Sequence, residues 1–89
     1  MTNHQQLMTI TMEECGELIQ SCSKMMRHAD RASDIHETQR KNLVEEVGDV
    51  LCMIMLMLDN GYVTEHELEE RINVKRKKLK KWSDLLDGE

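Results

Sequence analysis

An all-α fold, built from antiparallel helices whose four-helix-bundle core is completed by oligomerisation, is predicted by three features of this 89-residue sequence. Proline is absent and only four residues are glycine, so little interrupts long helical stretches. With no Phe, one Trp, one Tyr and eight Met, the core falls to aliphatic and sulfur side chains, a mixture that favours helices over strands. Apolar residues also recur at helical spacing, and one run is too apolar for a chain this short to cover by itself.

The first helix is expected from about His4 to His28, where Leu7, Met8, Ile10, Cys15, Leu18, Ile19, Cys22, Met25 and Met26 keep a helical period. The polar ADRASD stretch that follows reads as a loop. A second helix is expected from near Glu37 to about Asp59, stopped by Asn60-Gly61. Thr64 then reads as an N-cap, with Glu67 three residues later completing a capping box for a third helix over about 65–81. The SDLLDGE tail is expected to fray. No linker divides the chain, so a single domain over 1–89 is expected.

The longest apolar run, Val50 to Leu58, has nine residues, about half the ~20 that cross a bilayer as a helix. It leaves no polar face over the last two turns of the second helix, and such a helix must be covered on all sides. Two partner helices from 89 residues hardly do that, so a further subunit is expected, as a homodimer or homotetramer.

The formal net charge is -5, yet Lys75, Arg76, Lys77, Lys78, Lys80 and Lys81 put half of the 12 Lys and Arg in one stretch. An acidic chain that repels phosphates overall therefore keeps one place for them. Cys15, Cys22 and Cys52 form no CxxC pair and the four histidines show no metal-finger spacing, so reduced thiols in a cytoplasm are expected and a zinc site is not. No signal sequence is visible in MTNHQQ.

The chemistry lies in two similar words, EECGEL at 13–18 and EEVGDV at 45–50. Glu14 sits between Ile10 and Leu18 on its helix, with Leu7, Ser21 and Met25 on the same side, so it lies within the apolar stripe. Glu17, about 4.5 Å along the axis, is at the stripe's edge, and Glu13 lies one step further round. The second helix repeats the arrangement, with Glu46 among Asn42, Leu43, Val50, Met53 and Met57, and Asp49 beside it. Ionised carboxylates do not stay buried unpaired. Lys24, Arg27, Arg40 and Lys41 all fall beyond the cluster, whereas four oxygen ligands suit a hard cation, Mg²⁺ with Mn²⁺ as a possible substitute. A di-iron bundle would need Glu-x-x-His, and no histidine has Glu three residues before it. A solvated acidic face suits Glu13 and Glu45 but not Glu14 and Glu46. Gly16 and Gly48 point about 200° away from the inward acids, and close approach of another helix backbone would offset their cost of about 1 kcal/mol.

EExxE, as Glu13, Glu14 and Glu17, followed by ExxD, as Glu46 and Asp49, resembles the signature of the MazG-like all-α nucleoside triphosphate pyrophosphohydrolases. The resemblance extends over the apolar run, the Asn-Gly turn and a third helix carrying Asn73-Val74-Lys75. It implies Mg²⁺-dependent hydrolysis of a nucleoside triphosphate to a monophosphate and pyrophosphate. Glu14, Glu17, Glu46 and Asp49 would be metal ligands, and Glu13 would orient or deprotonate the attacking water. Asn73, Lys75, Arg76 and Lys78 resemble the phosphate-contacting residues of the last helix, and Lys24 is a further substrate-contact candidate. Lys77, Lys80 and Lys81 read as solvated, and Trp82 could stack on a base or anchor the chain end. The 28 residues between Glu17 and Glu46 are many for this family, and the chain is compact, which leaves the nucleobase open.

Two alternatives remain at this level. One is a phosphoribosyl-ATP pyrophosphohydrolase, similarly short, against which stands the paired Glu13-Glu14. The other is a non-enzymatic module laying the basic helix on nucleic acid; a basic helix is usually just solvated, and this reading leaves the inward acids unexplained.

Overall fold

The computed structural model describes residues 1–88 and contains three α-helices, α1 (Asn3–His28), α2 (Glu37–Asp59) and α3 (Glu65–Trp82), with a 3-10 turn at Ala32–Asp34 and no strand among the described residues. The all-α expectation and the three helix spans are met within a residue or two at each end. The chain divides into two compact units at Met57/Leu58, the first holding α1 and nearly all of α2, the second holding α3.

Each helix begins and ends for a local reason. Thr2 caps α1: its hydroxyl accepts from the Gln5 N–H at 3.1 Å while the Gln5 side chain accepts from the Thr2 N–H at 2.9 Å. Arg27 and His28 in the last turn complement the helix dipole. The helix stops where Ala29 turns extended, its N–H still bonded to the Met25 carbonyl at 2.9 Å. Helix α2 ends at Gly61, whose φ of 75° lies in the left-handed region that glycine enters without a Cβ clash. In the second unit Thr64 and Glu67 form the expected capping box, with bonds of 3.2 Å and 3.0 Å. Lys80 and Lys81 occupy the last turn of α3, and the Ser83 hydroxyl donates to the Leu79 carbonyl at 2.8 Å.

In the first unit α1 and α2 pair antiparallel. Glu14 meets Asp49 and Glu17 meets Glu46, while Met25 shares a cavity wall with Gln39 and Asn42. Among the described residues, Leu7 and Met53 are the only buried hydrophobes, and each still keeps a little exposure. Leu18 and Met25 on α1, with Leu43, Val50 and Met57 on α2, are half-buried. Together with the half-buried Thr11, Glu14 and Ser21 of α1 and Glu46 of α2, these inward positions recur at alternating steps of three and four, the seam of helices packed along their length.

A second seam lies one residue after the first on each helix. On α1 it runs Met12, Cys15, Ile19, Cys22, Met26, and on α2 Val44, Val47 and Leu51, all of them exposed, ending at the half-buried Ile54. Met26 is 83% exposed, Ile19 69% and Leu51 53%, far above what a finished apolar face shows. Because the helices are antiparallel and both seams are offset by one residue in the same direction, they fall on one side of the hairpin. Glu17 and Asp49, three residues beyond Glu14 and Glu46, fall on the other side. Within the described residues, no atom lies within 4 Å of where a Cβ would sit on Gly16 or Gly48, so the expected close backbone approach is not made within the chain. Among the described residues, no helix is long and apolar enough to cross a membrane.

Candidate metal centre

The antiparallel register brings the acids of the two repeated words together. Glu14 and Glu17 from α1 and Glu46 and Asp49 from α2 each present an oxygen within 4.8 Å of all the others. Steps of three along both helices produce this: the inward Glu and the acid one turn later lie on adjacent parts of one face, and antiparallel pairing sets each pair opposite the other. Glu13 is outside the four, exposed, and one turn before Glu17 on the same side, close enough for its charge to act on Glu14.

Burial decides the electrostatics. Glu14 and Glu46 are half-buried, and the Oε2 atom of each is shielded from solvent with no hydrogen-bond partner. Loss of solvent pushes the Glu14 carboxyl above the ordinary carboxylate value, and the charge of Glu17, then the charge and the hydrogen bond of Asp49, push it further. Glu46 is raised by burial first, then by its hydrogen bond to Glu17 and by the charges of Glu17, Asp49 and Glu45. Two carboxylates hydrogen-bond to each other only through a proton. The cluster therefore needs protons or a cation. Its donor set, oxygen alone from four acids on two rigid helices, fits a hard divalent ion, and the orphaned Oε2 atoms are acceptors such an ion would satisfy.

A cavity of about 370 Å³ opens beside the cluster and shares Glu17 and Glu46 with it. Gln20, Lys24 and Met25 of α1 and Gln39 and Asn42 of α2 carry the wall away from the acids. Lys24, which the sequence placed beyond the cluster, lines this neighbouring cavity with Gln20, Gln39 and Asn42, three amides that carry no site role in the sequence reading. Their signal was present: Asn42 is one turn before Glu46 and Gln39 two turns before it, on the same helix face.

The cations of α3 are all exposed and differ in the helix face they occupy. In the second unit Asn73 and Arg76 line a cavity of about 300 Å³ together with Lys77 and Lys80. Lys75 and Lys78 do not line it. Steps of three, four and seven from Asn73 give Arg76, Lys77 and Lys80, the run of one helix face. Trp82 is 77% exposed, with the Lys81 ammonium 5.2 Å from its ring centroid.

The family model described as the MazG nucleotide pyrophosphohydrolase domain matches residues 2–82, a span containing all three helices and the four clustered acids. No curated protein and no solved structure matches.

Proposed function

We infer that this chain, which belongs to the family of the MazG nucleotide pyrophosphohydrolase domain, is an Mg²⁺-dependent hydrolase that splits a nucleoside triphosphate at its α–β linkage into a monophosphate and pyrophosphate. Nucleotide pyrophosphohydrolase activity in general is what the family supports. The observation that carries the finer reading is the set of four acids within 4.8 Å, two of them holding shielded, unpartnered oxygens.

Glu14, Glu17, Glu46 and Asp49 would hold the ion, with Mn²⁺ a workable substitute. Bound there, a divalent ion supplies neutralisation of phosphate charge and a lowered pKa for coordinated water. The chain's own residues do the rest. The two helices fix the four acids so that little reorganisation accompanies substrate binding. Glu13, exposed beside the cluster, takes the proton as the water oxygen attacks phosphorus of the α–β linkage. The phosphorus–oxygen bond to the bridging oxygen breaks, and pyrophosphate leaves with the bonding electrons. Lys24 contacts substrate from the neighbouring cavity. Asn73, Lys75, Arg76 and Lys78 are the proposed phosphate contacts of α3, and the cavity on that helix supports adding Lys77 and Lys80 to the cations worth testing.

A second copy of the chain is part of this reading. The seams headed by Ile19 and Leu51 are exposed on one side of the hairpin, away from Glu17 and Asp49. A second hairpin laid on that side would complete a four-helix core without obstructing the acids. Cys15 and Cys22 in that seam are free thiols.

The test is incubation of the purified protein with canonical and modified NTPs and dNTPs, with Mg²⁺ and with EDTA, following monophosphate and pyrophosphate by chromatography. Metal-dependent release of both products is expected. Inorganic phosphate as the product, or turnover that survives EDTA, would contradict the proposal.

A further inference from the structure

The cavity beside the acids changes chemistry along its length. Near the cluster it is walled by Glu17 and Glu46; further on it is walled by the amides of Gln20, Gln39 and Asn42, by Lys24 and by Met25. Lys24 is two turns beyond Glu17 and Gln39 is two turns before Glu46, so both lie about 10 Å along their helices from the acids. That is about the reach of a nucleoside whose phosphates sit at the cluster. The volume, about 370 Å³, falls within the ~300–1,000 Å³ of small-molecule sites.

One atom in this wall asks for a ligand. The Oε1 atom of Gln39 is shielded from solvent and has no hydrogen-bond partner, an arrangement that costs stability unless a donor arrives. The same amide carries a donor nitrogen next to that oxygen, so it pairs with a base edge on which a donor stands beside an acceptor, whether ring N–H and carbonyl or amino group and ring nitrogen. Lys24 can only donate, which favours a carbonyl as that acceptor. Met25 supplies a polarizable flat-face contact for a ring.

We propose that this cavity takes the base of the substrate nucleotide, and that Lys24 of α1, with Gln39 and Asn42 of α2, selects a keto–imino base, one whose ring N–H adjoins a carbonyl, as in uracil, hypoxanthine and guanine. The proposal rests on the hydrolase reading for its substrate but not for its geometry. The Gln39 oxygen accepts the ring N–H, the Gln39 nitrogen donates to the adjacent carbonyl, and Lys24 donates to the same carbonyl edge. An amino base such as cytosine or adenine offers an exocyclic donor to that edge, where an ammonium has nothing to meet.

Two measurements test it. The first is kcat/KM of the wild-type protein for dUTP and dITP against dCTP and dATP, with Gln39→Leu and Lys24→Met alongside and circular dichroism to check that each variant folds. Wild type should favour the keto–imino pair by about tenfold or more, the size expected when one buried polar group is left unpaired. Lys24→Met should erase most of that ratio, and Gln39→Leu should weaken binding of every base, mainly through KM. The second is calorimetric binding of dUMP and dCMP to the same proteins, which needs no turnover. Equal or reversed wild-type preference, or a preference intact in Lys24→Met, would overturn the base-selection proposal while leaving hydrolysis standing. Tighter dUMP binding that is lost in Lys24→Met, with no triphosphate hydrolysed, would keep the pocket and remove the hydrolase reading. No binding of either monophosphate and no turnover would remove both.

Discussion

Glu46 concentrates the residue-scale argument, because it is half-buried, has one unpartnered oxygen and faces Glu17. Glu46→Gln should abolish Mg²⁺-dependent turnover while preserving the far-ultraviolet circular dichroism of a helical protein; a variant with wild-type turnover would strike Glu46 from the ligand set. The pH dependence follows from the same carboxyls. Both Glu14 and Glu46 are raised from the ordinary value of 4.5, so in the folded state they prefer to be protonated. Their contribution to stability is full below that ordinary value and is lost as pH rises through the raised value. The metal-free protein should therefore show a Tm that falls with pH across this window, and Mg²⁺ added at neutral pH should raise Tm again. A Tm indifferent to Mg²⁺ would argue against the cluster as a cation site. The acids were legible in the sequence because charged residues among apolar neighbours at helical spacing have few explanations. Gln39 was not, since an amide on a helix carries no such contradiction and its importance appears only when the surrounding wall is assembled.

At the scale of the element, short-range rules account for most of what was foreseen. Thr64-x-x-Glu67 and Asn60-Gly61 each carry their own geometry, and the structure places both where those rules do. Thr64→Ala should lower stability by about 1 kcal/mol through loss of the cap. Gly61→Ala should cost a similar amount, about 1 kcal/mol, because alanine resists a φ of 75°. Chemical denaturation followed by circular dichroism would measure both, and losses under about 0.3 kcal/mol would show that these ends are held by packing instead. The Thr2–Gln5 box at the start of α1 uses the same chemistry but went unread beside a polar terminus. The turn at Ala32–Asp34 is three residues long, too short for periodicity to register. On α3 the run of cations was evident, yet which of them share a face depends on helix phase, and phase separates Lys77 from Lys75.

For the whole molecule, the nine-residue apolar run announced that one chain lacked cover, but only the folded hairpin reveals which side is bare. Ile19→Lys and Leu51→Lys each place a charge in the exposed seams, and light scattering should report a shift from dimer or larger assembly to monomer, with loss of turnover. A wild-type protein that is monomeric and fully active would refute the second copy. A hairpin whose buried hydrophobes are Leu7 and Met53 has little interior of its own, so on the proposed assembly its native state and its association would become one equilibrium. Folding is then a matter of mass action. The fraction of native protein rises with the amount made, and a cell that dilutes the chain, or pairs it with a defective copy, weakens both the fold and the chemistry in a single step.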